Sequence, residues 1–390
     1  MTYSASSQAE GQTPDIPDHA GDGRPRAKTR VVRVGTRFIG GDWPVAVQSM
    51  TKTDTRNVSA TVEQIRALEH AGCEIVRVAV PDEEAARALG KIRAAIGIPL
   101  VADIHFDHRL ALLALEQGVD KLRINPGNIG SRTNVKEVVA AARDRGVPIR
   151  IGVNEGSLEK EILAKYGAPT PQAMVQSALG HVQILEELGY EDIVISLKAF
   201  SVPRMVEAYR LMSRLRPYPL HLGVTEAGGG GPGLIRSAIG IGLLLMEGIG
   251  DTVRVSLTGP PEEEVVAAYE ILRATERRQR GPTIISCPSC GRTQINLVAV
   301  ASEVRARLAG VSAPVTVAVM GCAVNGPGEA RDADFAIAGG KRSGLIYRRG
   351  KIVKKVPEDR LVDELVALVI SSLEENDTRS FNFSEGGEHG

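Results

Sequence analysis

The chain has 390 residues, 43% hydrophobic and 24% charged, with 47 basic residues balancing 47 acidic ones. That length predicts two domains, and the zero net charge removes the electrostatic footprint of a nucleic-acid or anionic-membrane binder, so nucleic acid is not expected as a partner. The most apolar run, Ala238 to Met246, is far shorter than the roughly 20 residues a membrane span requires, and four cysteines are too few for a disulfide scaffold, so a reducing cytoplasmic location is expected.

Residues 1–30 are rich in Ser, Gln, Asp, Gly and Pro, hold no apolar signal-peptide run, and read as a disordered tail. From 31 to 280, short apolar runs alternate with amphipathic stretches. Eight runs have strand length: VAVQSM (45–50), IVRVAV (75–80), LVADIHF (100–106), KLRINP (121–126), IRIGVN (149–154), IVISLKA (193–199), LHLGVTE (220–226) and TVRVSLTG (252–259). Between them apolar residues recur at helical spacing, as in Val135, Val138, Val139 and Ala142. Eight strand-then-helix repeats predict a TIM (β/α)8 barrel, with an open doubly wound sheet as the rival.

Polar residues at alternate strand positions favour closure, because the side-chain period of a strand is two. Arg123 and Asn125 share a face, as do Asp103 and His105, Arg150 and Asn154, Ser196 and Lys198, and Arg254 and Ser256. All would point into the barrel mouth. Residues 281–375 predict a small α+β domain: PTIISCPSC, a helix over 296–308, the strand VTVAVMG, two strand-like runs near Phe335 and Lys351, and a helix over 358–374. Residues 376–390 read as a disordered polar tail.

Cys287 and Cys290 form C-P-S-C, and Cys322 lies in MGCAVNGPGEA. Two thiolates at this spacing reach one metal or two corners of a cube, and a third from a separate turn fits a [4Fe-4S] cluster with one unusual ligand. No histidine lies between His221 and His389, so a three-cysteine, one-histidine zinc site is hard to build. Glu329 is the nearest acidic side chain able to complete the site, and an exchangeable carboxylate would let the cluster act as a Lewis acid. Cys73 precedes the second barrel strand and reads as a buried small residue.

Arg77, Arg123, Arg150, Lys198 and Arg254 all fall within predicted strands, where an unpaired charge is expensive. Asp103 and Glu226 offset part of this, and the basic excess implies a phosphorylated small molecule; internal ion pairing is the structural alternative. The GGGGPG run at 228–233 could offer backbone amides to phosphate. Its match to a dinucleotide fingerprint is discounted because it does not open a βαβ unit, so electrons would come from another protein. Glu226, ending the seventh run, is the candidate acid, its pKa raised by partial burial.

Taken together, VQSMTKTDT, VADIHFD, LRINPGNIG, IRIGVNEGSL, ISLKAF, GVTEAG, CPSCGRT and MGCAVNGPGEA stand in one order between about Arg30 and Glu374. In this the chain resembles the 4-hydroxy-3-methylbut-2-en-1-yl diphosphate synthases of the non-mevalonate isoprenoid pathway. The resemblance implies an iron-sulfur oxidoreductase that reduces 2-C-methyl-D-erythritol 2,4-cyclodiphosphate by two electrons, opening its ring and expelling water. It assigns Cys287, Cys290, Cys322 and Glu329 to the cluster. Arg123, Asn125, Arg150, Asn154, Lys198 and Ser256 would hold the diphosphate, with Arg77 and Asp103 as further substrate positions and Glu226 as the acid-base carboxylate. It implies the compact two-domain form, a head-to-tail homodimer in which each cluster domain covers the partner's barrel mouth, and reduced flavodoxin or ferredoxin as donor. The alternative is a zinc-stabilised TIM-barrel lyase or aldolase acting on a phosphorylated small molecule.

Overall fold

The computed structural model describes residues 26–322, 328 and 331–384. Of the tails expected at 1–30 and 376–390, residues 1–25 and 385–390 lie outside the described residues. The chain divides into two compact units, Met1–Arg278 and Gln279–Gly390.

The first unit opens on an antiparallel hairpin, β1 (Val32–Val34) and β2 (Arg37–Ile39), whose three-residue strands are too short to leave a readable period. Strands and helices then alternate: β3 (Ala46–Met50), α1 (Val58–Ala71), β4 (Ile75–Ala79), α2 (Glu83–Ala94), β5 (Leu100–Asp103), α3 (His108–Glu116), β6 (Lys121–Ile124) and α4 (Arg132–Arg145). There follow β7 (Ile149–Asn154), α5 (Lys160–Tyr166), α6 (Pro171–Glu187), β8 (Ile193–Lys198), α7 (Val202–Leu215), β9 (His221–Leu222), α8 (Gly230–Met246), β10 (Thr252–Val253) and α9 (Pro261–Ala274). Helix starts are local chemistry: Asn57, Asp82, Asp107, Ser131 and Thr170 each accept a first-turn amide, and Gly72 and Gly146 end α1 and α4 in the left-handed region.

The eight strands β3 to β10 form one parallel sheet in the order β8-β7-β6-β5-β4-β3-β10-β9. A parallel bridge between Ile195 and Leu220 joins its two ends, giving the expected TIM-type barrel. The last two strands are much shorter than the runs LHLGVTE and TVRVSLTG suggested. At Gly223 a Cβ would lie 2.6 Å from the Arg254 carbonyl oxygen, and the chain leaves the ladder there. Inward helix residues such as Ile65, Leu68, Leu89 and Ile92 are fully buried against the sheet, whereas the barrel interior holds the buried polar residues Gln48, Lys121, His221 and Thr252.

Asp251 serves the closing seam. Its Oδ2 accepts the Leu220 amide at 2.8 Å, and its Oδ1 accepts Thr29 Oγ1 at 2.8 Å and Arg26 Nη2 at 2.5 Å. Residues 26–30, at the end of the expected tail, are thereby fastened to the barrel, with further bonds from Ala27 N to Gly248 O and Arg30 N to Pro217 O.

In the second unit, β11 (Pro282–Ser286), α10 (Leu297–Leu308), β12 (Val315–Met320), β13 (Phe335–Gly340), β14 (Ser343–Arg348), β15 (Lys351–Pro357) and α11 (Leu361–Ser384) build a mixed sheet in the order β11-β12-β13-β14-β15. The first three strands are parallel and the last two antiparallel. Val317, Val319 and Ile337 share a core with α10 and α11, while the alternate residues Ala318, Ala336 and Ala338 cluster with Tyr347. The two runs foreseen near Phe335 and Lys351 thus belong to three strands. Helix α11 runs past Glu374, its expected end, because no glycine or proline interrupts it before Gly386.

Removing the seam carboxylate by Asp251→Ala leaves the Leu220 amide buried without its acceptor, an expected cost of about 1–3 kcal/mol. A lower urea midpoint would report it; an unchanged midpoint would show that the seam does not depend on Asp251.

Candidate functional site

The C-terminal ends of the barrel strands enclose a cavity lined by Arg77, Asp103, Arg123, Arg150, Asn154, Lys198 and Ser256 from the sequence reading. His105, Ser196 and Arg254, also foreseen at the mouth, line it too, and Thr225, which was not foreseen, joins them. Asn125 and Glu226 are not among the lining residues. Asn125 is buried beside the cavity, its Oδ1 accepting the Gly152 amide at 2.9 Å. Glu226 sits on the loop after β9 in the left-handed region (φ 53°) and is exposed, so the partial burial expected of it is absent.

Four arginines and Lys198 here face two buried carboxylates, Asp103 and Glu264. Burial pushes the Asp103 carboxyl upward, but Arg77 at 3.8 Å, the His105 hydrogen bond and Arg123 at 3.2 Å outweigh it and hold Asp103 well below the usual carboxylate range. Glu264, only 1% exposed in the first turn of α9, accepts the Leu257 amide at 3.1 Å and Ser49 Oγ at 3.2 Å, and pairs with Arg254 and Lys52 at 3.3 Å. Sequence reasoning missed it because the run PEEE reads as a solvated, dipole-favoured helix start.

Two glycines, Gly152 within β7 and Gly223 just after β9, make room for the basic side chains. A Cβ on Gly223 would lie 2.7 Å from Lys198 Nζ, and one on Gly152 would collide with Arg123 Nε. Despite this close seating, Arg123 Nε, Arg150 Nε and Nη1, and Arg254 Nε are buried with no hydrogen-bond partner among the described residues. Buried donors in folded proteins are nearly always satisfied, so these point to a ligand or ordered water.

Behind the mouth, His181 on α6 is buried, another residue the sequence reading did not single out. Its Nδ1 accepts the Gly127 amide at 3.0 Å, which puts the ring proton on Nε2, 2.9 Å from Glu159 Oε1. The His181 hydrogen bond is the largest of the effects that hold the Glu159 carboxyl down at about 2. This pair ties the loop carrying Asn125 to the loop after β7.

In the second unit the cysteines meet at the C-terminal ends of two adjacent parallel strands. Cys287 directly follows β11, half-buried, and its Sγ accepts the amide of Gly321, the residue before the buried Cys322. Cys290 is exposed, its amide donating to Thr293 Oγ1, which itself lies within 3.2 Å of where a Gly321 Cβ would stand. Glu329 lies outside the described residues. Among the described residues no group of three or more His, Cys, Asp or Glu side chains is gathered tightly enough to hold a metal ion as placed. Cys287 and Cys322 thus lie at neighbouring strand ends, with Cys290 three residues beyond Cys287. Cys73 is separate: buried, with its thiol donating to the Ile75 carbonyl, it is pushed up to about 12 by burial and is inert as a nucleophile.

Lys198 gives the mouth a pH signature. Burial, then the charges of Arg254 and Arg150, push its amine well below the ordinary lysine value. An entering anion raises that pKa again, so binding takes up a proton and affinity rises as pH falls. Titration calorimetry of inorganic pyrophosphate at about pH 8 in buffers of different ionisation enthalpy should show proton uptake that Lys198→Met removes; no difference between the two proteins would sink the assignment.

The profile described as GcpE TIM-barrel domain matches residues 29–269, and that described as GcpE protein C-terminal domain matches 283–371. The 4-hydroxy-3-methylbut-2-en-1-yl diphosphate synthase (flavodoxin) of Geobacter sulfurreducens is 62% identical over 350 residues, 90% of this chain and 99% of its own. The enzyme of the same name from Clostridium perfringens is 59% identical over 344 residues, 88% of this chain and 99% of its own. Among solved structures, the Yersinia pestis dihydropteroate synthase aligns with a TM-score of 0.46 at 11% identity, covering 64% of this chain and 99% of its own. On the two profile matches and the identity to these synthases, the chain belongs to the GcpE family, that of the 4-hydroxy-3-methylbut-2-en-1-yl diphosphate synthases.

Proposed function

We propose that this chain is an oxidoreductase that converts 2-C-methyl-D-erythritol 2,4-cyclodiphosphate into (E)-4-hydroxy-3-methylbut-2-enyl diphosphate in isoprenoid precursor biosynthesis. Two electrons and two protons enter, the carbon–oxygen bond that closes the ring breaks, and one hydroxyl leaves as water. The observation that carries the reading is the set of buried, unpartnered guanidinium donors on Arg123, Arg150 and Arg254, which suits a compact polyanion such as a diphosphate.

Arg123, Arg150, Lys198, Asn154 and Ser256 would hold the diphosphate, with Asn125 fixing the β7 backbone beside it through Gly152. Arg77 and Asp103 complete the rim, Asp103 remaining ionised to orient Arg77 and Arg123. Glu226, exposed on its loop, would deliver a proton to the departing oxygen. Cys287, Cys290, Cys322 and Glu329 would hold a [4Fe-4S] cluster, which when bound supplies single electrons and a Lewis-acidic iron. A flavodoxin, the donor printed in the relatives' names, would deliver the electrons, with ferredoxin as the other candidate. Among the described residues no helix is long and apolar enough to cross a membrane, and a cytoplasmic location fits a thiol-held cluster. The zinc-dependent lyase reading is not favoured, since the named relatives are reductive synthases.

Anaerobic purification with iron and sulfide analysis tests this directly. About four irons and matching sulfide per chain, with an EPR signal after dithionite that shifts on adding the cyclodiphosphate, are expected; stoichiometric zinc without sulfide would overturn it.

We further propose the head-to-tail homodimer, supported by an apolar stripe on the outer face of α8: Ile235, Ile239 and Met246 are each more than half exposed, an unusual surface for a lone chain. A second copy is the occupant. Arg150→Ala and Cys322→Ser chains, each inactive alone, should regain activity when mixed and exchanged, because one intact barrel then meets one intact cluster. Persistent inactivity of the mixture, with exchange verified, would place each active site within one chain.

A further inference from the structure

The segment from Lys341 to Lys355 carries seven cations and no acid in a chain whose total charge is zero. Two of them are paired, Lys354 with Glu364 at 2.7 Å and Arg348 with Glu375 at 3.7 Å. The other five, Lys341, Arg342, Arg349, Lys351 and Lys355, are all exposed and have no ion-pair partner among the described residues. Lys341 and Arg342 form the turn between β13 and β14, Arg349 lies in the β14–β15 turn at the opposite end of the sheet, and Lys351 and Lys355 lie on the edge strand β15 beside Ile352 and Val353, both more than half exposed.

Topology aims the β13–β14 turn at the cysteines. β13 runs parallel to β12 with Ala338 opposite Met320, so the turn that follows Gly340 lies at the same end of the sheet as Cys322. A Cβ on Gly339 would stand 2.8 Å from the Gly321 carbonyl oxygen. The Lys341–Arg342 turn therefore flanks the end of the sheet that carries Cys287 and Cys322. Arg342 holds the left-handed conformation (φ 56°), where glycine would be unstrained. A charged side chain is present at a position whose backbone favours none.

We propose that the Lys341–Arg342 turn is the docking surface for an acidic electron-carrier protein, an inference that rests on the reduction proposed above. A carrier with an acidic face around its cofactor would be steered to the Lys341–Arg342 turn and so to the sheet end that holds the cysteines, since complementary fields raise association rates without demanding a large contact. The plain alternative is that lysines on an edge strand block edge-to-edge pairing. That accounts for Lys351 and Lys355 on β15, but not for the Lys341–Arg342 turn, which lies off the edge.

The test uses the full-length chain with its cluster reconstituted, and a flavodoxin as probe. Flavodoxin association with wild type should slow steeply with added salt; K341E/R342E should bind at least about tenfold more slowly at low salt and lose most of that salt dependence. In turnover, the same variant should show a raised KM for flavodoxin yet stay within twofold of wild type when dithionite-reduced methyl viologen supplies the electrons. Arg342→Gly, which removes charge while relieving the backbone, should weaken flavodoxin binding without lowering the unfolding midpoint. Unchanged flavodoxin association in both variants, or parallel loss of activity with both reductants, would overturn the proposal. Wild type that turns over with neither reductant would refute the catalytic reading instead, and the binding comparison would still decide the docking surface.

Discussion

Everything in the barrel mouth follows from crowding four arginines and the amine of Lys198 where water is scarce. An isolated buried charge is disfavoured by several kcal/mol even after the protein relaxes, and only Asp103 and Glu264 oppose the excess. The fold tolerates it because three of the arginines are fixed before any ligand arrives. Arg123 is pinned between Asp103 and the Gly152 carbonyl, Arg254 leans on Glu264, and Arg77 rests on the soft sulfur of Met50 at 2.9 Å. Positive charge held in a rigid, dry cavity is worth far more to an anion than the same charge on flexible surface lysines, since no reorganisation accompanies binding.

The layer beneath shows how strictly this is arranged. Lys121 reaches across the barrel interior to Gln48 Oε1 at 3.4 Å, and burial, then Arg150 and Arg77, push its amine well below the ordinary lysine value. His221 is likewise kept neutral by burial and by Arg150 and Lys198, its Nδ1 against Thr252 Oγ1 at 2.7 Å. Polar groups fill the floor without adding positive charge to it, so the field is concentrated where the strands end. Residues that touch no ligand complete the arrangement: Glu264 sets one arginine and the Leu257 amide, and the His181–Glu159 pair anchors the loop that follows Asn125.

The parts of this that were readable from sequence are those with a period. Arginines and asparagines at alternate positions of β-branched runs announced the mouth, because a strand sends every second side chain to one face. What was not readable depends on contacts between distant segments. Glu264 looks like its neighbours Glu262 and Glu263, and only the packing of α9 turns it alone inward. His181 looks like an ordinary polar residue of an amphipathic helix, and the two-residue strands β9 and β10 end at a crowding between Gly223 and Arg254 that no propensity records. Glu226 erred in the other direction: its place after a strand was right, but the left-handed turn carries it out to solvent.

The same geometric rule operates in both units. Parallel strands all finish at one edge, so side chains placed just beyond each strand converge without any long excursion of the chain. In the barrel this gathers cations from β4, β6, β7, β8 and the end of β10; in the second unit it brings Cys287 and Cys322, 35 residues apart in sequence, to neighbouring strand ends. The chemistry at each edge is set by the residues the strands and their ends carry, and the two edges differ in kind: one gathers guanidinium groups around a cavity, the other presents thiols. A reaction that must grip a diphosphate and also feed electrons into a carbon–oxygen bond needs both sorts of edge, and neither residue set could take over the other's role. Thiolates would repel the anion, and guanidinium groups cannot ligate iron.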